Sequence, residues 1–212
     1  MPAPWFPVFI AFSAIITIAA HYLRPAFFWL VYIFKPLTTI LILIVALYPG
    51  TFLTHLYAGA IALGLLFSLA GDIYLMFPEY FVHGLGSFLI GHVCYWVAFF
   101  QPGVEIFWVL FPLLLFGGLV LWFLWPGVSK ELKIPVSIYL LAIVGMATLA
   151  VSRALQMPSR ATLSAAGGAL LFVVSDSLLA LNRFRKPFRL AEAGVLGTYF
   201  AGQFLIAFSL SL

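Results

Sequence analysis

The chain has 212 residues with 10 Lys and Arg, 6 Asp and Glu, and a formal net charge of +4. Charged side chains make up 8% and hydrophobic ones 65%, where an ordinary soluble domain carries about 25% charge. Too few polar residues remain to cover a soluble core, which excludes a soluble enzyme, a nucleic-acid binder and a disordered tail.

Apolar runs divide the chain into segments near 4–22, 26–48, 51–77, 80–100, 104–126, 134–152, 160–182 and 189–210. A membrane-spanning helix takes roughly 20 residues, so these read as eight spans of a single integral membrane domain covering 1–212, an all-α polytopic bundle. The cuts fall at Arg24-Pro25, Tyr48-Pro49-Gly50, Pro78-Glu79, Gln101-Pro102-Gly103, Pro126-Gly127, Met157-Pro158 and Lys186-Pro187, each a turn or helix-boundary signal. Pro36 and Pro112 fall inside segments and predict kinks. Barrel strands would alternate in polarity, and these runs are continuously apolar. The first segment lacks the basic start of a secretory signal and reads as a mature helix. Cys94, the single cysteine, leaves no disulfide framework and no Cys-based metal site.

Basic residues set the expected orientation. Arg24, Lys130, Lys133, Arg183, Arg185, Lys186 and Arg189 belong to odd-numbered connections, and Arg153 and Arg160 to an even one. The odd side is therefore expected to be cytoplasmic, with both termini outside, in the inner membrane if the cell is bacterial. A weak repeat is also visible: Asp72 and Asp176 stand 104 residues apart, and each is followed 23 residues later by a tyrosine, Tyr95 or Tyr199. This pattern would pair helix three with seven and four with eight, as in two four-helix repeats.

Ionisable groups inside membrane helices are costly and by default face a cavity or a partner. Lys35, Asp72 and Asp176 lie in helices two, three and seven. At ~1.5 Å per residue they sit roughly 14, 9 and 10 Å from the expected cytoplasmic ends, in one layer. His92 and Tyr95 share a face of helix four, and Tyr199 and Gln203 share one of helix eight that Glu192 extends. Together these residues would line a pocket that is acidic near the surface and hydrogen-bonding deeper in. Plainer readings stand beside this one. Lys35 would snorkel to the headgroups, the aspartates would reach the interface from helix ends, and the His, Tyr and Gln side chains would only join helices. The zinc-helix, Walker, dinucleotide and serine-elbow motifs are absent from the sequence, leaving a pair of carboxylates in an apolar bundle.

Several of these stretches resemble a known family, the YhhN-type lysoplasmalogenases. They are Phe34-Lys35-Pro36-Leu37-Thr38-Thr39, Gly71-Asp72 with Leu75-Met76, Gly91-His92 with Tyr95, Ser175-Asp176 with Leu178-Leu179-Ala180, and Tyr199-Phe200-Ala201-Gly202-Gln203. Each motif alone is weak, and their order and spacing in an eight-helix frame make the match specific. The resemblance implies hydrolysis of the vinyl ether bond of a lysoplasmalogen, alkenyl-glycerophosphocholine or -ethanolamine, to a fatty aldehyde and a glycerophospho-alcohol. It makes Asp72 and Asp176 the catalytic pair, with Lys35, His92, Tyr95, Tyr199 and Gln203 binding substrate around them. It calls for no metal and no cofactor; the partners are a lysophospholipid and membrane lipids, and the oligomeric state is left open. Paired carboxylates suit such chemistry, one donating a proton and the other stabilising a cation and activating water. The polar neighbours Ser175 and Ser177 favour Asp176 as the ionised partner, and the apolar surroundings of Asp72 favour it as the acid. Lys35 would either hold an aspartate ionised or meet the lipid phosphate. Two other classes fit the same residues: a small-solute or proton-coupled transporter, which would need a polar path through outer halves that offer little beyond His55 and Thr51, and a non-catalytic lipid-binding protein.

Overall fold

A computed structural model describes residues 5–23, 27–48 and 55–212. Arg24, Pro25, Pro49, Gly50 and Thr51 lie outside these residues. Among the described residues the chain forms eight α-helices and short 3-10 turns, with no strand. The helices are α1 (Phe6–Ala20), α2 (Trp29–Leu47), α3 (Leu56–Tyr74), α4 (Phe81–Phe99), α5 (Phe107–Leu124), α6 (Lys133–Gln156), α7 (Arg160–Phe184) and α8 (Ala191–Phe208). Seven are long and apolar enough to cross a membrane, and α1, with 15 residues, is shorter. At ~1.5 Å per residue α1 spans roughly 22 Å, less than the ~30 Å hydrocarbon core. The protein is an integral, multi-pass membrane protein.

Local chemistry accounts for the boundaries. Pro78 opens a turn between α3 and α4, and Pro126 another after α5. Ser159 caps α7 reciprocally: its Oγ accepts from the Thr162 backbone N–H at 3.1 Å while its own N–H donates to Thr162 Oγ1 at 2.9 Å. Helices α2 and α5 run on through Pro36 and Pro112. Helix α6 extends to Gln156, past the expected end at 152. Arg153 is therefore inside its last turn, where the guanidinium lies 4.9 Å over the Tyr57 ring and donates to the Ala98 carbonyl at 3.5 Å.

The tightest pairings are α3 with α4 and α7 with α8. At the second, Gly168 and Gly202 bring two backbones together, and a Cβ on Gly168 would stand 2.6 Å from the Gly202 carbonyl oxygen. Close approach through small residues is the usual means of joining helices in lipid. The larger of two cores runs from Ile10 and Ile42 through Leu65, Phe99 and Met146 to Phe172 and Ile206, and a smaller one gathers Leu124, Val128 and Val136. Helix α5 stands at the periphery, packed along α6, with most of its Phe, Trp and Leu side chains facing outward.

Candidate active site

Four helices bring polar side chains to Asp72 and Asp176, and of these α2 and α8 serve Asp72, near the end of α3. Lys35, on α2, places its Nζ 3.4 Å from Asp72 Oδ1. Thr39, one turn further along α2, donates its hydroxyl to Asp72 Oδ2 at 2.6 Å, and Tyr199 on α8 donates to the same oxygen at 2.7 Å. Asp72 is 1% exposed and Lys35 9%, so the pair is drawn inward and Lys35 does not snorkel to the surface. A buried ion pair is tolerated only when further hydrogen bonds satisfy it, and Thr39 and Tyr199 supply them.

Asp176, on α7, has a different set of partners, from α4 and α6. Tyr139 on α6 donates its hydroxyl to Asp176 Oδ2 at 2.5 Å, and His92 Nε2 lies 3.0 Å from that hydroxyl and 3.5 Å from the same carboxylate oxygen. Among the described residues Asp176 Oδ1 has no protein partner. The Asp176 side chain is 14% exposed against 2% for that of Asp72. An aromatic wedge of Phe88, Phe172 and Tyr199 packs edge to face beside both aspartates. Gly71 makes room for it, since a Cβ there would stand 2.6 Å from the Phe88 ring.

Lys35, Asp72, Asp176 and Tyr199 line one cavity of about 260 Å³. It reaches the bundle end where α1 stops and α8 begins; there His21 and Glu192, 3.8 Å apart, complete its wall. At the roughly 30 Å³ that a water takes in the liquid it holds on the order of nine water-sized groups, enough for a small polar headgroup. The predicted site residues thus divide. Lys35, Asp72, Asp176 and Tyr199 meet at the cavity, and Glu192 lies at its end as its helix face implied. His92 is fully buried behind Asp176 and touches it without lining the cavity. Tyr95 and Gln203 are also fully buried and bond each other, hydroxyl to Oε1, at 2.6 Å. They pin α4 to α8 away from the cavity, which departs from the expected substrate-binding role.

Sequence reasoning missed Tyr139, Thr39 and His21 as site residues. Thr39 carried a usable signal, being one turn from Lys35 on the same helix. Tyr139 carried none, because a lone tyrosine in an apolar run reads as a belt residue. Among the described residues no three His, Cys, Asp or Glu side chains are grouped to hold a metal ion.

The family model described as YhhN family matches residues 30–210, which includes every residue of the aspartate clusters. The chain is 37% identical over 166 residues to Lysoplasmalogenase TMEM86A of Bos taurus, covering 76% of this chain and 68% of the relative. It is 36% identical over 173 residues to the Homo sapiens protein of that name, with coverage of 76% and 68%. To the membrane protein YhhN of Escherichia coli O157:H7 it is 31% identical over 211 residues, covering 98% of this chain and 99% of the other. No solved structure matches. The chain belongs to the YhhN family of integral membrane proteins.

Proposed function

We propose that this protein is a lysoplasmalogenase: it hydrolyses the vinyl ether of a lysoplasmalogen, and Asp72 and Asp176 carry out the chemistry. The observation that carries this reading is that both aspartates line one cavity beside Lys35 and Tyr199. The names of the animal relatives support the reaction class.

A vinyl ether hydrolyses when an acid protonates its β carbon. The resulting oxocarbenium ion takes up water at the carbon next to oxygen, a proton leaves, and the hemiacetal collapses to aldehyde and alcohol. The site therefore needs one proton donor in contact with the alkene and one carboxylate near the cation and its attacking water. The donor pattern supports an assignment opposite to the one that flanking residues suggested. Asp72 is met by an ammonium and two hydroxyl donors, the setting of a carboxylate. Among the described residues Asp176 Oδ1 meets no protein partner, which leaves that oxygen to carry and present the proton. In this role Lys35 holds Asp72 ionised while one of its faces remains on the cavity, where a phosphate would lie.

The packing argues against a transport path. Ile61, Leu65, Phe99, Met146 and Ile206 are fully buried in the half of the bundle away from the cavity. They fill much of that half, and the polar Tyr95 and Gln203 among them bond each other. Lys130, Lys133, Arg183, Arg185, Lys186 and Arg189 crowd the end to which the cavity reaches, and this supports a cytoplasmic opening with both termini outside.

Purified protein incubated with lysoplasmenyl lipid and with the matched lysoacyl lipid tests the reading. Aldehyde from the first and no fatty acid from the second is expected, with aldehyde lost in folded Asp72→Asn and Asp176→Asn. Full activity in either variant would sink the carboxylate pair, and fatty acid release would place the protein in another hydrolase class.

A further inference from the structure

A second, narrower cavity of about 80 Å³ lies between α4, α5, α6 and α7. Its walls are almost wholly apolar, with Leu85, Phe116, Val120, Leu121 and Ile143 prominent among them. The two cavities share four wall residues: Leu75, Phe88, Asp176 and Leu179. Asp176 thus stands at the border between a polar chamber and an apolar slot. Helix α5 packs along α6 and touches α7, and it does not pack along α4. The slot therefore has a flank toward the bilayer, where Phe116 lines it while 44% exposed.

We infer that this slot receives the hydrocarbon chain of the substrate, which enters sideways from the bilayer between α4 and α5 while the glycerophospho headgroup occupies the polar chamber. The inference rests on the lysoplasmalogenase reading and adds to it the orientation of the lipid. The reaction's own geometry requires such a border. In an alkenyl ether the carbon that accepts the proton belongs to the chain, and the oxygen that leaves belongs to the glycerol. The proton donor must then touch the first carbons of the chain, and water must reach the next atom from the headgroup side. Asp176 is a wall residue of both compartments, whereas Asp72, Lys35 and Tyr199 belong only to the polar one. At roughly 30 Å³ per small group, the slot holds on the order of three methylenes. The proximal chain fits inside, and the remainder stays in the bilayer along the exposed face of α5.

Chain-length selectivity tests the orientation. Lysoplasmenyl lipids with propenyl, octenyl and hexadecenyl chains are compared on the wild type, Val120→Trp and Leu121→Ala. Val120→Trp narrows the slot and is expected to raise KM for the octenyl and hexadecenyl lipids alike by about tenfold, the cost of an overpacked site, and to spare the propenyl lipid, whose chain ends before the slot. Leu121→Ala removes contacts from the slot wall and is expected to raise KM for the same two lipids, which keeps the test available if the tryptophan variant does not fold. An equal effect on the propenyl lipid, or a selective effect on the longer chains from Val31→Trp in the polar chamber, would overturn the orientation. A lysolipid carrying a diazirine on the proximal chain gives a readout independent of turnover. Crosslinks to α4, α5 or α6 support the slot, and crosslinks to α1 or α2 refute it. No aldehyde from any chain length on wild type, together with α5 crosslinks, would count against the reaction and leave the binding orientation standing.

Discussion

The Lys35–Asp72 contact depends on more than charge. Its partners are buried in a membrane protein, where removing one member of an ion pair leaves the other unpaired and costly, about 3 kcal/mol or more. Lys35→Met should therefore lower the unfolding midpoint in detergent sharply. The double variant Lys35→Met with Asp72→Asn should recover much of that loss, because two neutral side chains of similar volume need no counter-charge. A double variant no more stable than the single one would mean that Lys35 acts through packing alone. Thr39→Val and Tyr199→Phe each delete one hydroxyl donor to Asp72 Oδ2. A hydrogen bond to a charged group contributes about 1.5–3 kcal/mol, so each should lower kcat by roughly 10- to 100-fold if Asp72 acts as the carboxylate. Unchanged turnover in both, measured with saturating lysoplasmenyl lipid, would remove Asp72 from that role.

At the scale of helices, hydropathy with Pro and Gly locates all eight elements, because breakers and apolar runs act locally and need no knowledge of neighbours. The end of α6 departs from its sequence boundary for a tertiary reason: Arg153 stops the apolar run, yet the Tyr57 ring and the Ala98 carbonyl accommodate its guanidinium, so the helix continues. The same limit applies to the site. Spacing puts Lys35, Asp72 and Asp176 at one depth, and all three line one cavity. It carries no information on which helix faces which, so it cannot tell that Tyr95 and Gln203 bond each other and leave the cavity wall to other residues. Helix adjacency is decided by shape, most visibly where α7 crosses α8. There an alanine Cβ at position 168 would meet backbone atoms, Gly202 O at 2.6 Å and Ile206 N at 3.0 Å, and neither can move aside. Gly168→Ala should destabilise the protein by about 1–3 kcal/mol, read as a lowered thermal midpoint by tryptophan fluorescence. Gly86→Ala, whose Cβ would meet nothing within 4 Å, should leave the midpoint nearly unchanged. Equal midpoints in both variants would show that the crossing is looser than the described geometry.

Across the whole molecule the two aspartates are served in exchange. Asp72 of α3 is bonded by Tyr199 of α8, and Asp176 of α7 is approached by His92 of α4. Each half of the chain thus completes the other's carboxylate site, so the site exists only in the assembled bundle. Its position also bears on the orientation in the membrane. Lys133 lies 4.6 Å over the Trp125 ring, Arg183 4.7 Å over Phe81, and Arg185 4.5 Å over Phe123. All three are at the bundle end nearest the aspartates, where cations held on aromatic rings suit the headgroup region. Basic residues are retained on the cytoplasmic side, so the connection between α5 and α6 should face the cytoplasm and the one between α4 and α5 the exterior. In a Cys94→Ala background, Glu131→Cys should react with a membrane-impermeant maleimide only after the cells are opened, and Gly103→Cys in intact cells. The reverse labelling pattern would invert the topology, and with it the leaflet from which the lipid headgroup reaches Asp72.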